Sequence, residues 1–326
     1  QSLSVEDDMN ATELTKELLK IPSPSGEEKE IGNYLVNRLK TNFEVTTQKV
    51  DNNFNIFAIK GNPKLVLQTH IDTVPKQLEL KEDVGFVYGR GACDTKGIIA
   101  CMVLAAEEAV KVGKTNFGLV FTVCEETNFA GIKQAVTQLD PELVIVGEPT
   151  DFKVVYGQKG IFSFKIECKG KSAHSAMPEK GDSAIIKLLD ELDRIRKIKL
   201  PENELGKTTL NIGTIKGGTV NNVIPDYAEA DISVRTTVSA EEIKELLGIK
   251  EAVSLDPTII TDQELLDKFS YDKITVPYFT EMYFWKKAIV FGPGKIEFAH
   301  SDDEKISKTD LERGKEEYLQ IINLLS

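Results

Sequence analysis

Apolar residues recur at helical spacing over residues 11–20 and again over 27–40, the second stretch opened by Ser23-Pro24-Ser25-Gly26-Glu27. The runs Phe54–Ile59 and Leu65–Gln68 have a different pattern, short, nearly continuous and rich in strand-forming side chains. Thr95-Lys96-Gly97 then leads into Ile98–Val112, apolar over a helical length and ended by Gly113. Gly118–Val123 and Leu143–Val146 again predict short buried strands. Near-continuous apolar strands alternating with helices imply an α/β fold, a mostly parallel sheet flanked on both faces by helices.

From Gly160 the pattern changes. Phe162–Cys168 predicts a strand, Ser183–Ile198 a helix, Thr208–Ile215 and Ala228–Val234 strands, Ala240–Leu247 a helix, and residues 257–260 a closing strand. That β-α-β-β-α-β order is the ferredoxin-like α+β arrangement. After about 265 the first pattern resumes, with a strand at Lys287–Phe291, the turn Gly292-Pro293-Gly294 and a helix over 309–324. The smaller unit therefore reads as an insertion: 1–159 and 265–326 form a catalytic domain, and 160–264 a lid or dimerisation domain. No internal repeat or low-complexity segment interrupts this plan.

A length of 326 residues accommodates two such domains, and 41% hydrophobic with 28% charged residues suits a globular chain with a full core. The formal net charge of −12 argues against nucleic acid and anionic membrane as partners, and no apolar run reaches the ~20 residues of a spanning helix. The polar stretch Gln1–Asp8 has no apolar centre of the signal-peptide kind, and the natural start is expected at Met9. Four cysteines, Cys93, Cys101, Cys124 and Cys168, lack metal-ligand spacing, which favours a reducing, cytoplasmic setting.

The chemistry concentrates around very few residues. The chain has three histidines: His70 in Thr-His-Ile-Asp-Thr-Val-Pro, His174 in Ser-Ala-His-Ser-Ala-Met-Pro, and His300 in Ala-His-Ser-Asp-Asp-Glu. His70, the pair Glu125-Glu126, and Glu148 each fall at the C-terminal end of a predicted strand, where open α/β sheets place their ligand crevice. Asp72 lies two residues after His70, on the same side of an extended segment, where it could orient the imidazole. Asp94 sits in the glycine-punctuated loop Gly89-Arg90-Gly91-Ala92-Cys93-Asp94-Thr95-Lys96-Gly97, which lacks the Gly-Lys-Ser/Thr ending of a phosphate loop. Two imidazoles with several carboxylates make a ligand set for zinc-like divalent cations, and a neighbouring carboxylate left over suits a general base. Singly, each feature has an ordinary alternative: a helix cap at Asp94, an exposed acidic turn at Glu125-Glu126, a surface histidine at His174.

Taken in order, Thr-His-Ile-Asp-Thr-Val-Pro, Gly-Arg-Gly-Ala-Cys-Asp-Thr-Lys-Gly, Cys-Glu-Glu-Thr, Gly-Glu-Pro-Thr and Ala-His-Ser-Asp-Asp-Glu resemble the M20 metallopeptidase family over about residues 15–320. The resemblance implies two divalent metal ions, Zn2+ or alternatively Co2+, bridged by Asp94. His70 and Glu148 would complete one site and Glu126 and His300 the other. It further implies Glu125 as general base, Asp72 as the residue orienting His70, and a cis peptide at Asp94–Thr95. His174 resembles the lid histidine that reaches a partner subunit's site in a homodimer and stabilises the oxyanion. Asn222 and Arg235 resemble substrate-contacting lid residues, and Gly294 lies in a turn resembling the one that meets the substrate carboxylate.

Within that family, Thr280-Glu281 with Val-Phe-Gly-Pro-Gly-Lys-Ile-Glu-Phe-Ala-His, Glu126-Thr127 with Ala130-Gly131, and Gly157-Gln158-Lys159-Gly160 are similar to the acetylornithine deacetylase subgroup. The implied reaction is amide hydrolysis of an N-acyl amino acid, N-acetylornithine to ornithine and acetate, as in arginine biosynthesis. The segment between Pro75 and Tyr88 lacks the tryptophan-containing stretch of larger members, and Trp285 is the sole tryptophan. Desuccinylation of succinyl-diaminopimelate, or release of lysine or ornithine from a carrier protein, therefore stands as the alternative. A non-catalytic, metal-binding peptide-recognition relative is the reading outside catalysis, and the presence of Glu125 weighs against it.

Overall fold

The computed structural model describes residues 9–326; the expectation about residues 1–8 lies outside the described residues. The chain divides into two compact units, one of residues 9–156, 260–274 and 281–326, the other of 157–259 and 275–280. The boundaries fall a few residues from those expected, and the return of 275–280 to the second unit has no sign in the sequence.

The first unit is built on a mixed sheet whose strands run in the order Glu44–Val50, Asn53–Lys60, Phe117–Thr122, Leu65–His70, Leu143–Val146, Ala288–Val290, Val154–Gln158, and the chain leaves the unit within the last of these. Leu65–His70 is parallel to both of its neighbours, and Ala288–Val290 is parallel to Leu143–Val146. The four strands of this parallel centre are buried along their whole length, which requires cover on both faces. The helix Lys96–Lys111 packs against Ala11–Leu19 and Lys308–Leu325, and Lys29–Leu39 packs on Asn53–Lys60. Along Lys96–Lys111 the side chains Ile98, Ile99, Met102 and Val103 are fully buried, each contributing about 1.5–3 kcal/mol of burial.

The flanks of the sheet differ from the expected parallel order. Asn53–Lys60 is antiparallel to Phe117–Thr122 and forms a tight hairpin with Glu44–Val50, turning at Asp51 with φ of 50°. Glu44–Val50 carries a polar sequence and is largely exposed, so its apolar pattern was too thin to predict a strand. Val154–Gln158 is a second antiparallel flank strand, pairing with Ala288–Val290.

In the second unit the strands run Thr209–Gly217, Tyr227–Thr236, Gly160–Lys169, Val253–Leu255, all antiparallel, with helices Ala184–Arg196 and Ala240–Leu247. Numbered in chain order from Gly160–Lys169, the strands stand 2-3-1-4, or 4-1-3-2 from the other edge, the ferredoxin-like order. Burial alternates along Tyr227–Thr236, so the sheet packs on the helices through one face. Ser239 and Glu242 close a capping box at the start of the second helix. The closing strand expected at 257–260 is instead Val253–Leu255; Asp256-Pro257 breaks the chain there, and Thr258–Ile259 turns away to pair with Gln158 and Gly157.

Candidate active site

In the first unit, the C-terminal ends of three neighbouring strands deliver the acidic and imidazole groups. His70 is the last residue of its strand, and Thr95 Oγ1 donates to the His70 carbonyl at 2.7 Å. Glu125 and Glu126 follow Phe117–Thr122 after a turn in which Cys124 takes φ of 59°. Glu148 follows Leu143–Val146, its neighbour Gly147 held by Gln68 and Thr69 of the adjacent strand. Asp94 ends the glycine loop immediately before the helix Lys96–Lys111, and the Asp94–Thr95 peptide is cis. Gly97 has no room for a Cβ against the Ala92 carbonyl, so the loop folds tightly back on the helix start. His300 approaches from the C-terminal segment with φ of 59°.

These groups converge on Asp94. Its Oδ1 lies 3.0 Å from His70 Nε2 and its Oδ2 3.2 Å from His300 Nε2. Glu148 is 3.9 Å from His70 Nε2, and Glu126 is 2.8 Å from His300 Nε2. Two sets of donors with mutually close ligand atoms result: His70, Asp94 and Glu148, and Asp94, Glu126 and His300, with Asp94 common to both.

His70 Nδ1 lies 2.9 Å from the Asp72 carbonyl and 3.4 Å from the Asp72 carboxylate. The backbone oxygen is thus the closer acceptor for an Nδ1 proton, an arrangement that would free Nε2 to bind a cation held between it, Asp94 and Glu148. The Asp72 carboxylate is engaged elsewhere, accepting from Ser25 Oγ at 2.6 Å, Glu125 N at 3.0 Å and Glu126 N at 3.1 Å. Asp72 was expected to orient His70, and its carbonyl and carboxylate both face Nδ1; the carboxylate in addition fixes the backbone that carries the two glutamates.

The electrostatics are those of a site short of positive charge. Burial, together with the nearby carboxylates of Glu148 and Glu126, pushes Glu125 well above the usual range; its side chain keeps some exposed surface, but its carboxyl is enclosed. Burial and Asp94 push Glu148 up in the same way. For His70, burial opposes the charged form, but hydrogen bonds with Asp72 and Asp94 outweigh it and raise the imidazole. Hydrogen bonds to Asp94 and Glu126 raise His300 to about 10. Among the described residues, Asp94, Glu126 and Glu148 form ion pairs with the two imidazoles, His70 and His300. A buried carboxylate cluster of this composition is offset by divalent cations, and its nitrogen and oxygen donors suit zinc-like ions. The residues present fit a pair of such ions.

Several groups here escape the sequence reading. Glu28, on the turn before Lys29–Leu39, accepts from Cys124 N at 3.1 Å. Glu281, fully buried, accepts from Gln68 Nε2 and Thr122 Oγ1, while its Oε1 has no partner. Glu304 accepts from Arg90 at 2.6 Å and from three backbone N–H groups of the Asp94 loop. The run Ala-His-Ser-Asp-Asp-Glu contains Glu304, but nothing in one sequence says that its last acid is buried and its middle ones are not. Gly294 is buried in the same unit with φ of 84°, so near Cys93 that a Cβ would lie 2.9 Å from the sulfur.

The other expected residues belong to the second unit. His174 is exposed, and its Nδ1 accepts from Ala176 N at 3.1 Å. A neutral ring in that arrangement carries its proton on Nε2. Asn222 holds the neighbouring turn through its carbonyl, which accepts from Ser175 N at 3.0 Å. Arg235 lies exposed on Tyr227–Thr236, opposite Ile161 and Thr209.

Residues 156–253 match the peptidase dimerisation domain family. The chain is 32% identical to a peptidase M20 domain-containing protein of Schizosaccharomyces pombe, over 96% of this chain and 84% of that one. It is 32% identical to a probable carboxypeptidase of Emericella nidulans, over 95% and 88%. Among solved structures it is similar to a tripeptidase from Staphylococcus aureus, with a TM-score of 0.83, 21% identity and 98% of each chain covered. It is similar also to the Bacillus subtilis YXEP protein, a dinuclear metal binding peptidase, with a TM-score of 0.69, 16% identity and 97% of each chain covered. The fold and site define a hydrolase of the metallopeptidase class. The chain belongs to the M20 peptidase family. No helix among the described residues is long and apolar enough to cross a membrane.

Proposed function

We propose that the protein is a metal-dependent amidohydrolase that releases an amino acid with a free carboxylate from a peptide or N-acyl precursor. The observation that carries the reading is the pair of three-residue donor sets sharing Asp94, with the Glu125 carboxylate enclosed beside them. His70, Asp94 and Glu148 would hold one cation and Asp94, Glu126 and His300 the second. Bound there, divalent cations, Zn2+ or alternatively Co2+, polarise the scissile carbonyl and acidify water. Glu125 takes the proton of the attacking water and returns it to the amine nitrogen as the C–N bond breaks. Asp72 fixes the Glu125 and Glu126 backbone so that the base and the ligand face the same point.

His174, with its proton on Nε2, is a donor suited to the developing oxyanion, and Asn222 and Arg235 are the polar groups on its unit that would meet substrate. The match of residues 156–253 to a peptidase dimerisation domain supports a homodimer in which His174 serves the partner's site. The backbone around Gly294, packed on Cys93 beside Asp94, would meet the substrate carboxylate. Four unpaired thiols support a reducing, cytoplasmic setting.

On substrate, the probable carboxypeptidases among the relatives favour a peptide with a C-terminal amino acid. N-acetylornithine is the second reading, carried by the Thr280-Glu281 and Val290–His300 segments. Glu281 turns into the core against Gln68 and Thr122, so that part of the likeness concerns scaffold and leaves the acyl group open. A panel of dipeptides, N-acetylornithine and N-succinyl-diaminopimelate, assayed with Zn2+ or Co2+ and with chelator, tests the proposal. Hydrolysis abolished by chelator supports it, and the preferred member fixes the class; no cation-dependent cleavage of any member overturns it.

A further inference from the structure

Glu304 stands four residues after His300 and is almost fully buried. One carboxylate oxygen, Oε1, accepts from Gly91 N at 3.0 Å, Cys93 N at 3.2 Å and Asp94 N at 3.1 Å. The other, Oε2, accepts from Arg90 Nη1 at 2.6 Å, and Arg90 Nε donates to the Lys76 carbonyl at 3.2 Å. The backbone continues the attachment, because Gly89 N donates to the Glu304 carbonyl at 3.1 Å and Lys305–Ser307 pairs antiparallel with Phe86–Tyr88. The glycine loop thus forms a concave nest of N–H groups whose occupant is a side chain of the segment carrying His300.

We propose that Glu304 is the positioning residue that sets Asp94 against His300, and so fixes the spacing of the two donor sets; this rests on the metal-dependent reading above. Asp94 is the one ligand the sets share, and its loop carries Gly89 and Gly91 on either side of Arg90, which leave the backbone little stiffness of its own. A charge-assisted clamp on three N–H groups of that loop supplies it. Arg90 offsets the buried negative charge of Glu304 directly, so Glu304 acts as the guest of an anion-binding loop rather than as a further ligand. The sequence distance between the partners, 211 residues from Glu304 to Cys93, makes the clamp invisible to local pattern reading.

The test uses the full chain, with Co2+ or Zn2+ titrated into metal-free protein by calorimetry and amide exchange followed over residues 91–94. Glu304→Ala is expected to weaken both cations about 10- to 100-fold, the usual cost of losing a group that orients metal ligands. It is also expected to speed exchange at Gly91, Cys93 and Asp94, with kcat falling more than KM rises. Glu304→Gln, which keeps an oxygen for the three N–H groups, is expected to recover part of the affinity and carries the test if the alanine variant fails to fold. Cation affinities within about threefold of the wild type in a folded variant, with unchanged exchange at residues 91–94, overturn the proposal. Wild-type protein that binds neither cation overturns the metal-dependent reading instead, and the exchange measurement then judges the clamp alone.

Discussion

The carboxylate of Asp72 accepts the backbone N–H of Glu125 at 3.0 Å, and its second oxygen accepts that of Glu126 at 3.1 Å. One buried acid therefore sets the direction of two others, through the main chain. Replacing it by asparagine keeps one acceptor and turns the other into a donor that faces an N–H. Asp72→Asn is expected to lower kcat about 10- to 100-fold with KM little changed. Steady-state kinetics on the preferred substrate check this, and a pure KM effect would contradict the positioning role.

Glu125→Gln removes the proton acceptor and leaves the donor sets untouched. Turnover is expected to fall at least about 100-fold, the lower end of general-base contributions, while cation binding stays at wild-type affinity. Metal titration and kinetics on the same preparation separate the outcomes. Undiminished hydrolysis would remove Glu125 from the mechanism.

Legibility in the sequence followed the range of the interactions. Strands buried on both faces, such as Leu143–Val146, declare themselves because every residue is apolar, whereas the exposed Glu44–Val50 depends on its hairpin partner for its conformation. His70, Asp94, Glu126, Glu148 and His300 stand in short motifs whose order along the chain carries the family likeness, so their meeting could be anticipated. The residues that hold them in place could not. Glu28 reaches Cys124 across 96 positions, and Glu281 reaches Gln68 across 213; each is an ordinary glutamate in sequence, distinguished only by burial. The Asp72 case shows the same limit from the other side: spacing from His70 pointed to an imidazole partner, but gave no sign of the two N–H groups its carboxylate also holds in a loop 53 residues away.

Glu281 gives the fold a pH dependence of known sign. Burial raises its pKa to about 7 from an ordinary 4.5, against the opposing effects of His70, Thr122 and Gln68. The folded state thus holds a proton that the unfolded state releases above 4.5. Stability contributed by the neutral acid is full below pH 4.5 and is lost as pH rises through about 7. The difference is worth about 3 kcal/mol. In metal-free protein, Glu281→Gln is expected to unfold at a higher denaturant concentration than the wild type at pH 8, and the gap should narrow toward pH 5. Denaturant titrations at the two pH values measure it; a gap independent of pH would show that Glu281 does not titrate in this window.

The exposed His174 and the enclosed Glu125 belong to different compact units, and the proposed division of labour puts them on different subunits when they work together. His174→Ala homodimers would have an intact base without the oxyanion donor, and Glu125→Gln homodimers the donor without the base. In a mixed dimer, the subunit carrying His174→Ala keeps its own Glu125 and receives His174 from its partner, which restores one complete site of the two. Mixing the two variants under conditions that exchange subunits is therefore expected to return activity from near zero toward a quarter of the wild-type rate, because about half of the dimers are mixed at equal ratio and each has one working site. Variants carrying different affinity tags allow the mixed species to be isolated and its rate measured directly. Verified mixed dimers that stay as inactive as either parent would mean that His174 acts within its own chain or not at all.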